Sequence, residues 1–194
     1  MTSIYGLILA GGTSTRMQRD KAALLYQGQN QLDRAFELLN SLVERTFVSV
    51  RADQIAEPIR AGRSLIVDSV AGGGPIVGIR SALKAHPNVA WLVLAVDLPF
   101  LSVVTLQALL AARDPTAVAT AFRSAHDGLP EPLCAIWEPS ANAALAQYQA
   151  HGGQCPRKFL IGHSSKLVDP VETTALDNIN TPDEYTHAHS LLER

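Results

Sequence analysis

Ile4-Tyr5-Gly6-Leu7-Ile8-Leu9-Ala10-Gly11-Gly12-Thr13-Ser14-Thr15-Arg16-Met17-Gln18-Arg19-Asp20-Lys21 is the stretch that decides the fold. Ile4 to Leu9 is apolar with little polar alternation, the composition of a strand covered on both faces. It runs directly into paired glycines. A loop at the carboxyl end of a parallel strand is where open α/β sheets bind ligands, and glycines let backbone amides approach a phosphate. This loop offers amides at Gly11 and Gly12, hydroxyls at Thr13 and Ser14, and cations at Arg16, Arg19 and Lys21, a set suited to neutralising a triphosphate. G-x-G-x-x-G is absent, and Lys21 follows Asp20 and precedes Ala22, so the G-K-[ST] ending of a Walker loop is absent too.

Outward from this loop, short apolar runs alternate with stretches of helical period. Phe47–Val50, Leu65–Val67, Trp91–Val96 and Ala117–Ala121 read as further strands; Gln31–Glu44, Ile55–Ala61, Ile76–Ala85 and Val103–Arg113 read as helices. The alternation predicts a three-layer, Rossmann-like α/β fold, a mostly parallel sheet with helices on both faces. Leu32, Ala35, Phe36, Leu39, Leu42 and Val43 mark one buried helical face. Phe122–Pro132, with Gly128, Pro130 and Pro132, reads as a loop. Leu133–Trp137 is a returning strand, Ser140 N-caps a helix to about Ala150, and Pro156–Leu160 is a short helix. Thr181-Pro182-Asp183-Glu184 is a capping box that opens a helix to about Leu192.

The chain has 194 residues, 47% hydrophobic and 18% charged, with a net charge of -2. This is ordinary globular usage, and the expectation is one domain over residues 1–194. No global positive field is available for nucleic acid or an acidic membrane, so any phosphate must be held locally. The longest apolar run, Val89 to Val96, is far short of the roughly 20 residues that cross a bilayer. With no secretory signal in the first residues, the cytoplasm is the expected compartment. Cys134 and Cys155 lack C-x-x-C spacing and read as thiols. The six histidines are dispersed and suggest no zinc site.

Leu9-Ala10-Gly11-Gly12-x-Ser14-x-Arg16-Met17-x-x-Asp20-Lys21 resembles the signature loop of sugar-nucleotide-type nucleotidyltransferases, and most of all that of the molybdenum cofactor guanylyltransferases. Asp68 with Gly73-Gly74-Pro75-Ile76-Val77-Gly78-Ile79, then Asp97-Leu98-Pro99, then Asn178-Ile179-Asn180-Thr181-Pro182 extend the resemblance in the family's order. It implies a Mg²⁺-dependent transfer of GMP from GTP to the terminal phosphate of molybdopterin or the molybdenum cofactor, with release of pyrophosphate. A nucleotide part at about 1–114 and an acceptor part at about 115–194 would follow, with cofactor-delivery or acceptor proteins as possible partners.

Residue by residue, the resemblance implies that Leu9, Ala10, Gly11 and Gly12 contact base and ribose while Arg16 and Lys21 take the phosphates. Asp97 would hold Mg²⁺, which suits a carboxylate closing an apolar strand at the sheet edge and needing a partner. Asp68 would contact the nucleotide, and the segment holding Gly74 and Gly78 would help recognise guanine. Leu-Ala-Gly-Gly rather than Leu-Ala-Ala-Gly favours GTP over CTP. Asn178 and Asn180 flank Ile179, so alternation points both to one side, and the resemblance assigns them to the pterin. Arg157, Lys158 and residues 126–132 are weaker candidates for that pocket. Two departures stand near the site: Arg51 where many relatives have asparagine, offering another phosphate or substrate contact, and Gln18 in place of glycine. Another base or acceptor, CTP or a sugar 1-phosphate, and a GTP-binding regulator without turnover remain the alternatives.

Overall fold

The structure is a computed structural model that describes residues 2–12, 17, 19–70 and 72–193. The elements in the first part are β1 (Ile4–Leu9), the hairpin strands β2 (Leu25–Tyr26) and β3 (Gln29–Asn30), α1 (Gln31–Asn40), β4 (Thr46–Val50), β5 (Ser64–Val67), α2 (Pro75–Ala85), β6 (Ala90–Ala95) and α3 (Val103–Ala111). The second part holds β7 (Ala119–Arg123), β8 (Pro130–Trp137), α4 (Ala141–Ala150), α5 (Pro156–Gly162), β9 (Ser165–Val168) and α6 (Pro182–Leu192).

One seven-stranded sheet runs through both parts in the order β5-β4-β1-β6-β8-β7-β9. β1 pairs in parallel with β4 and β6, β4 with β5, and β7 with β9; β8 lies antiparallel to both β6 and β7. The absence of polar alternation in the strands has its counterpart in the two faces. Leu7, Phe47, Trp91, Val93, Ala135 and Trp137 pack toward Ile76, Ile79, Leu145 and Phe159 of α2, α4 and α5. Their neighbours Ile8, Val48, Leu92, Leu94 and Ile136 pack toward Leu32, Leu39, Leu106 and Leu109 of α1 and α3. The sheet is therefore the middle of three layers, as the alternating pattern requires.

A third, smaller cluster sits apart from the sheet. Met17, Leu24 and Tyr26, which follow the first loop, close on Ile179 and on Ala188 of α6. Both bonds of the capping box that starts α6 are present: Thr181 accepts from the Glu184 amide, and the Glu184 carboxylate accepts from the Thr181 amide.

Several readings need correction. Ile55–Ala61 is not a helix; Pro58 lies in it, and the chain makes two 3-10 turns, Ala52–Gln54 and Pro58–Arg60. Phe122–Pro132 is not a continuous loop, because β7 extends to Arg123 and β8 begins at Pro130. Pro130 and Pro132 are tolerated in that strand because the β6 pairing reaches only to Cys134, so the prolines have β7 alone as a neighbour. The strand read at Ala117–Ala121 is shifted two residues on, with an irregularity between Ala121 and Phe122. Ser140 makes no side-chain cap and instead donates to the Ala117 carbonyl. The helix lengths at α1 and α3 are shorter than read, and β2, β3 and β9 were not expected.

Candidate functional site

Every strand that ends at the carboxyl edge of the parallel part delivers a polar group or a glycine to one cavity of about 770 Å³. Leu9, Ala10, Gly11 and Gly12 line it from the end of β1; Arg51 and Asp68 from the ends of β4 and β5; Asp97 from the turn after β6. Gly74 and Gly78 come from the start of α2, and Asn178 and Asn180 from the segment before α6. Of the residues singled out in the sequence, Thr13, Ser14, Arg16 and Gln18 lie outside the described residues. Leu9, Ala10, Gly11, Gly12, Lys21, Arg51, Asp68, Gly74, Gly78, Asp97, Asn178 and Asn180 all border this cavity, and of the further candidates Arg157, Glu131 and Pro132 do, whereas Arg19, Lys158 and residues 126–130 do not.

The closest convergence is at Lys21. Its Nζ lies 2.7 Å from Asp97 Oδ2 and 2.7 Å from Asn180 Oδ1, so the loop after β1, the carboxylate after β6 and the segment before α6 meet at one ammonium. The pair is mostly shielded, with 15% and 17% of the two side chains exposed, and each charge serves to compensate the other's desolvation. The partner that Asp97 was expected to need is thus supplied by the protein itself. Ser102 caps α3 on its own by accepting from the Thr105 amide, which leaves Asp97 unneeded as a cap. Ile179 donates from its amide to the Asp97 carbonyl and buries its side chain, so Asn178 and Asn180 on either side of it both border the cavity.

Asp68 is half-buried, and burial lifts its carboxyl above the ordinary value, against a donated hydrogen bond from Ser49 Oγ at 2.9 Å and the field of Arg51. α2 can start beside it only because of glycine. Gly74 takes φ 66, a left-handed position that glycine occupies without strain. A Cβ on Gly78 would collide with Ser49 Oγ, so this turn of the helix sits directly against β4.

Arg51 has partners within the protein itself. Its fork closes on Asp53 with two bonds of 3.0 Å, and Nη1 donates to the Gly11 carbonyl. Asp53 beside it is held below the usual carboxylate range. The residue that departs from many relatives is therefore a tether for the loop while it borders the cavity. Arg157 is likewise engaged, by Asp127 at 3.0 Å and Glu131 at 2.7 Å.

Sequence reasoning missed Arg60. Its guanidinium is fully buried, with bonds to the Ala10 carbonyl at 2.7 Å, to Asp20 Oδ2 at 2.9 Å and to Glu57. Nothing in the local pattern marks it, since two of its three partners are 40 and 50 residues away.

With this arrangement in view, the comparisons with known proteins are decisive for the family. The MobA-like NTP transferase domain matches residues 6–167. The chain belongs to that family. It is 32% identical over 205 residues to a molybdenum cofactor guanylyltransferase of Sinorhizobium fredii, covering 97% of this chain and 91% of the relative. It is 35% identical over 184 residues to a molybdenum cofactor biosynthesis bifunctional protein of Synechocystis, covering 95% of this chain but only 53% of the longer protein. This family member thus spans about half the length of that relative. Among solved structures, molybdopterin-guanine dinucleotide biosynthesis protein A of Archaeoglobus fulgidus superposes with a TM-score of 0.80 at 24% identity, over 97% of this chain and 98% of the other. The shared fold is a nucleotidyltransferase α/β fold. The match to the family's domain ends at residue 167, before the segment that brings Asn180 to Lys21. No described helix is long and apolar enough to cross a membrane.

Proposed function

We propose that this nucleotidyltransferase transfers GMP from GTP to the terminal phosphate of molybdopterin, or of its molybdenum form, and releases pyrophosphate. The observation that carries the proposal is the meeting of Lys21, Asp97 and Asn180 at 2.7 Å, because it joins a nucleotide loop, a metal-type carboxylate and an acceptor-side amide. In the reaction an oxygen of the acceptor phosphate bonds to the α-phosphorus, and the bond to the β-phosphate bridging oxygen breaks. No enzyme nucleophile is required; what the protein must supply is position and positive charge.

The residues have matching tasks. Leu9, Ala10, Gly11, Gly12, Gly74, Gly78 and Asp68 hold the nucleoside, with guanine against the glycine segment before α2. Arg16 and Lys21 hold the phosphates. Lys21 carries three N–H donors, and with two on Asp97 and Asn180 the third serves a phosphate oxygen. Asn178 and Asn180 hold the pterin, and Arg51 fixes the loop. A nucleotide part at about 1–114 and an acceptor part at about 115–194 divide these tasks.

The donor set fits Mg²⁺. One protein carboxylate, Asp97, facing a site for a triphosphate suits an ion that keeps waters and takes most of its other oxygens from substrate phosphates. Among the described residues no group of three or more His, Cys, Asp or Glu competes as a cage. Bound there, Mg²⁺ would offset the charge that develops on the leaving pyrophosphate. Delivery and acceptor proteins of the cofactor, and operation in the cytoplasm, belong to the same proposal.

The test is pyrophosphate release from each NTP with Mg²⁺ and purified molybdopterin. Release with GTP and molybdopterin alone is expected. Release only with CTP, or only with a sugar 1-phosphate, would replace base or acceptor, and GTP binding without any release would make the protein a regulator.

A further inference from the structure

A fully buried guanidinium is expensive to place, and an apolar side chain of similar volume fills such a space without that cost. Arg60 must therefore be explained by what it holds. Its two terminal nitrogens reach both ends of the glycine-rich loop: Nη2 takes the Ala10 carbonyl, just before the paired glycines, and Nη1 takes Asp20 Oδ2, just before Lys21. The other oxygen of Asp20 accepts from the Ala22 amide at 3.0 Å and so caps the 3-10 turn Lys21–Ala23 that carries the lysine.

The consequences for the loop follow from the peptide plane. No described peptide bond is cis, and in a trans peptide the carbonyl and the next N–H point in opposite directions. Holding the Ala10 carbonyl on Arg60 therefore turns the Gly11 N–H the other way, and holding the Gly11 carbonyl on Arg51 does the same for Gly12. Two arginines, one buried and one half-shielded, thus set the direction of two amide dipoles at the rim of the cavity.

We infer that Arg60 is a positioning residue for nucleotide binding: it staples Ala10 to Asp20 across the mouth of the loop, so that the Gly11 amide and the Lys21 ammonium are held in place together. The inference rests on reading this cavity as the GTP site, and its test separates the two. Trypsin can cut after Arg16 and Arg19, inside the stapled stretch, and after Lys21, directly beyond it. In Arg60→Met, cleavage there should accelerate several-fold, and the GTP dissociation constant from titration calorimetry should rise by about tenfold or more, since small displacements of positioning groups have effects of this size. Arg60→Lys, with one ammonium in place of the fork, should recover part of both. Asp20→Asn should show the same direction of change with Arg60 intact, and it replaces Arg60→Met if that variant does not fold. Wild-type cleavage and affinity in a folded Arg60→Met, or in Asp20→Asn should the former not fold, would overturn the inference. If the wild-type protein does not bind GTP, the reading of the cavity fails, while the trypsin comparison still decides the staple.

Discussion

The two ends of the same strands are built on opposite plans. At the amino end of β1 and β6, Tyr5, Phe47, His86 and Trp91 form a cluster of rings with centroids 5.2 to 5.9 Å apart. Beyond it Arg113 closes on Glu138 with two bonds of 2.7 and 2.9 Å and donates a third to the Thr2 carbonyl. At the carboxyl end the strands give way to glycines and to Lys21, Asp97 and Asp68 around an open cavity. Both ends contain paired charges, so the pairing alone does not distinguish them. At the amino end both charges are almost wholly buried, with 10% and 2% of the side chains exposed; at the carboxyl end the Lys21–Asp97 pair borders the cavity, where the ammonium can also face a phosphate and the carboxylate a cation. A shielded ion pair is thus enclosed by packing at one end of the sheet and borders the cavity at the other.

Breaking each end should separate stability from activity. The largest effect is expected from Asp97→Ala: pyrophosphate release should fall by about 10²- to 10³-fold or more, while far-UV circular dichroism stays that of the folded chain. Next is Arg113→Ala at the opposite end, which strands the buried Glu138 carboxylate. Denaturant unfolding should show a loss of about 3 kcal/mol or more, with kcat/KM for GTP unchanged where the variant is folded.

Lys21→Ala should weaken GTP binding by about 1.5 to 3 kcal/mol through loss of a charge-assisted bond, read by titration. The smallest effect concerns Asp68. Its carboxyl titrates above the ordinary 3.8, so the folded chain keeps that proton to higher pH than the unfolded chain. Stability therefore declines as pH rises through the window just above 3.8. Asp68→Asn should flatten that decline in thermal unfolding and stabilise the protein at pH 7, with GTP bound more weakly. A variant that is stabilised and binds GTP normally would make Asp68 a plain turn residue.

The residues that local chemistry specifies were legible in the sequence. β1 keeps its expected bounds, the capping box at Thr181 starts its helix as that signal requires, and Gly11 and Gly12 lie where a parallel strand should put them. What escaped depends on neighbours distant in the chain. Pro130 and Pro132 forbid a central strand only when both sides are paired, and where β6 stops cannot be read from β8 itself. Arg60 looks like any surface arginine until Ala10 and Asp20 are brought around it. That Arg51 borders the cavity follows from its place at the end of β4, whereas the closure of its fork on Asp53 two residues on was not read from the sequence.

The bond between Lys21 and Asn180 joins positions 159 residues apart. Contacts of such separation form late, because the entropy of closing the intervening chain must be met before they contribute. During synthesis the sheet strands β1, β4, β5 and β6 can assemble well before residue 180 has been added. The ligand pocket is thus completed after its own scaffold, and a ribosome-bound chain arrested before Asn180 should retain nucleotide poorly, however well its sheet has formed.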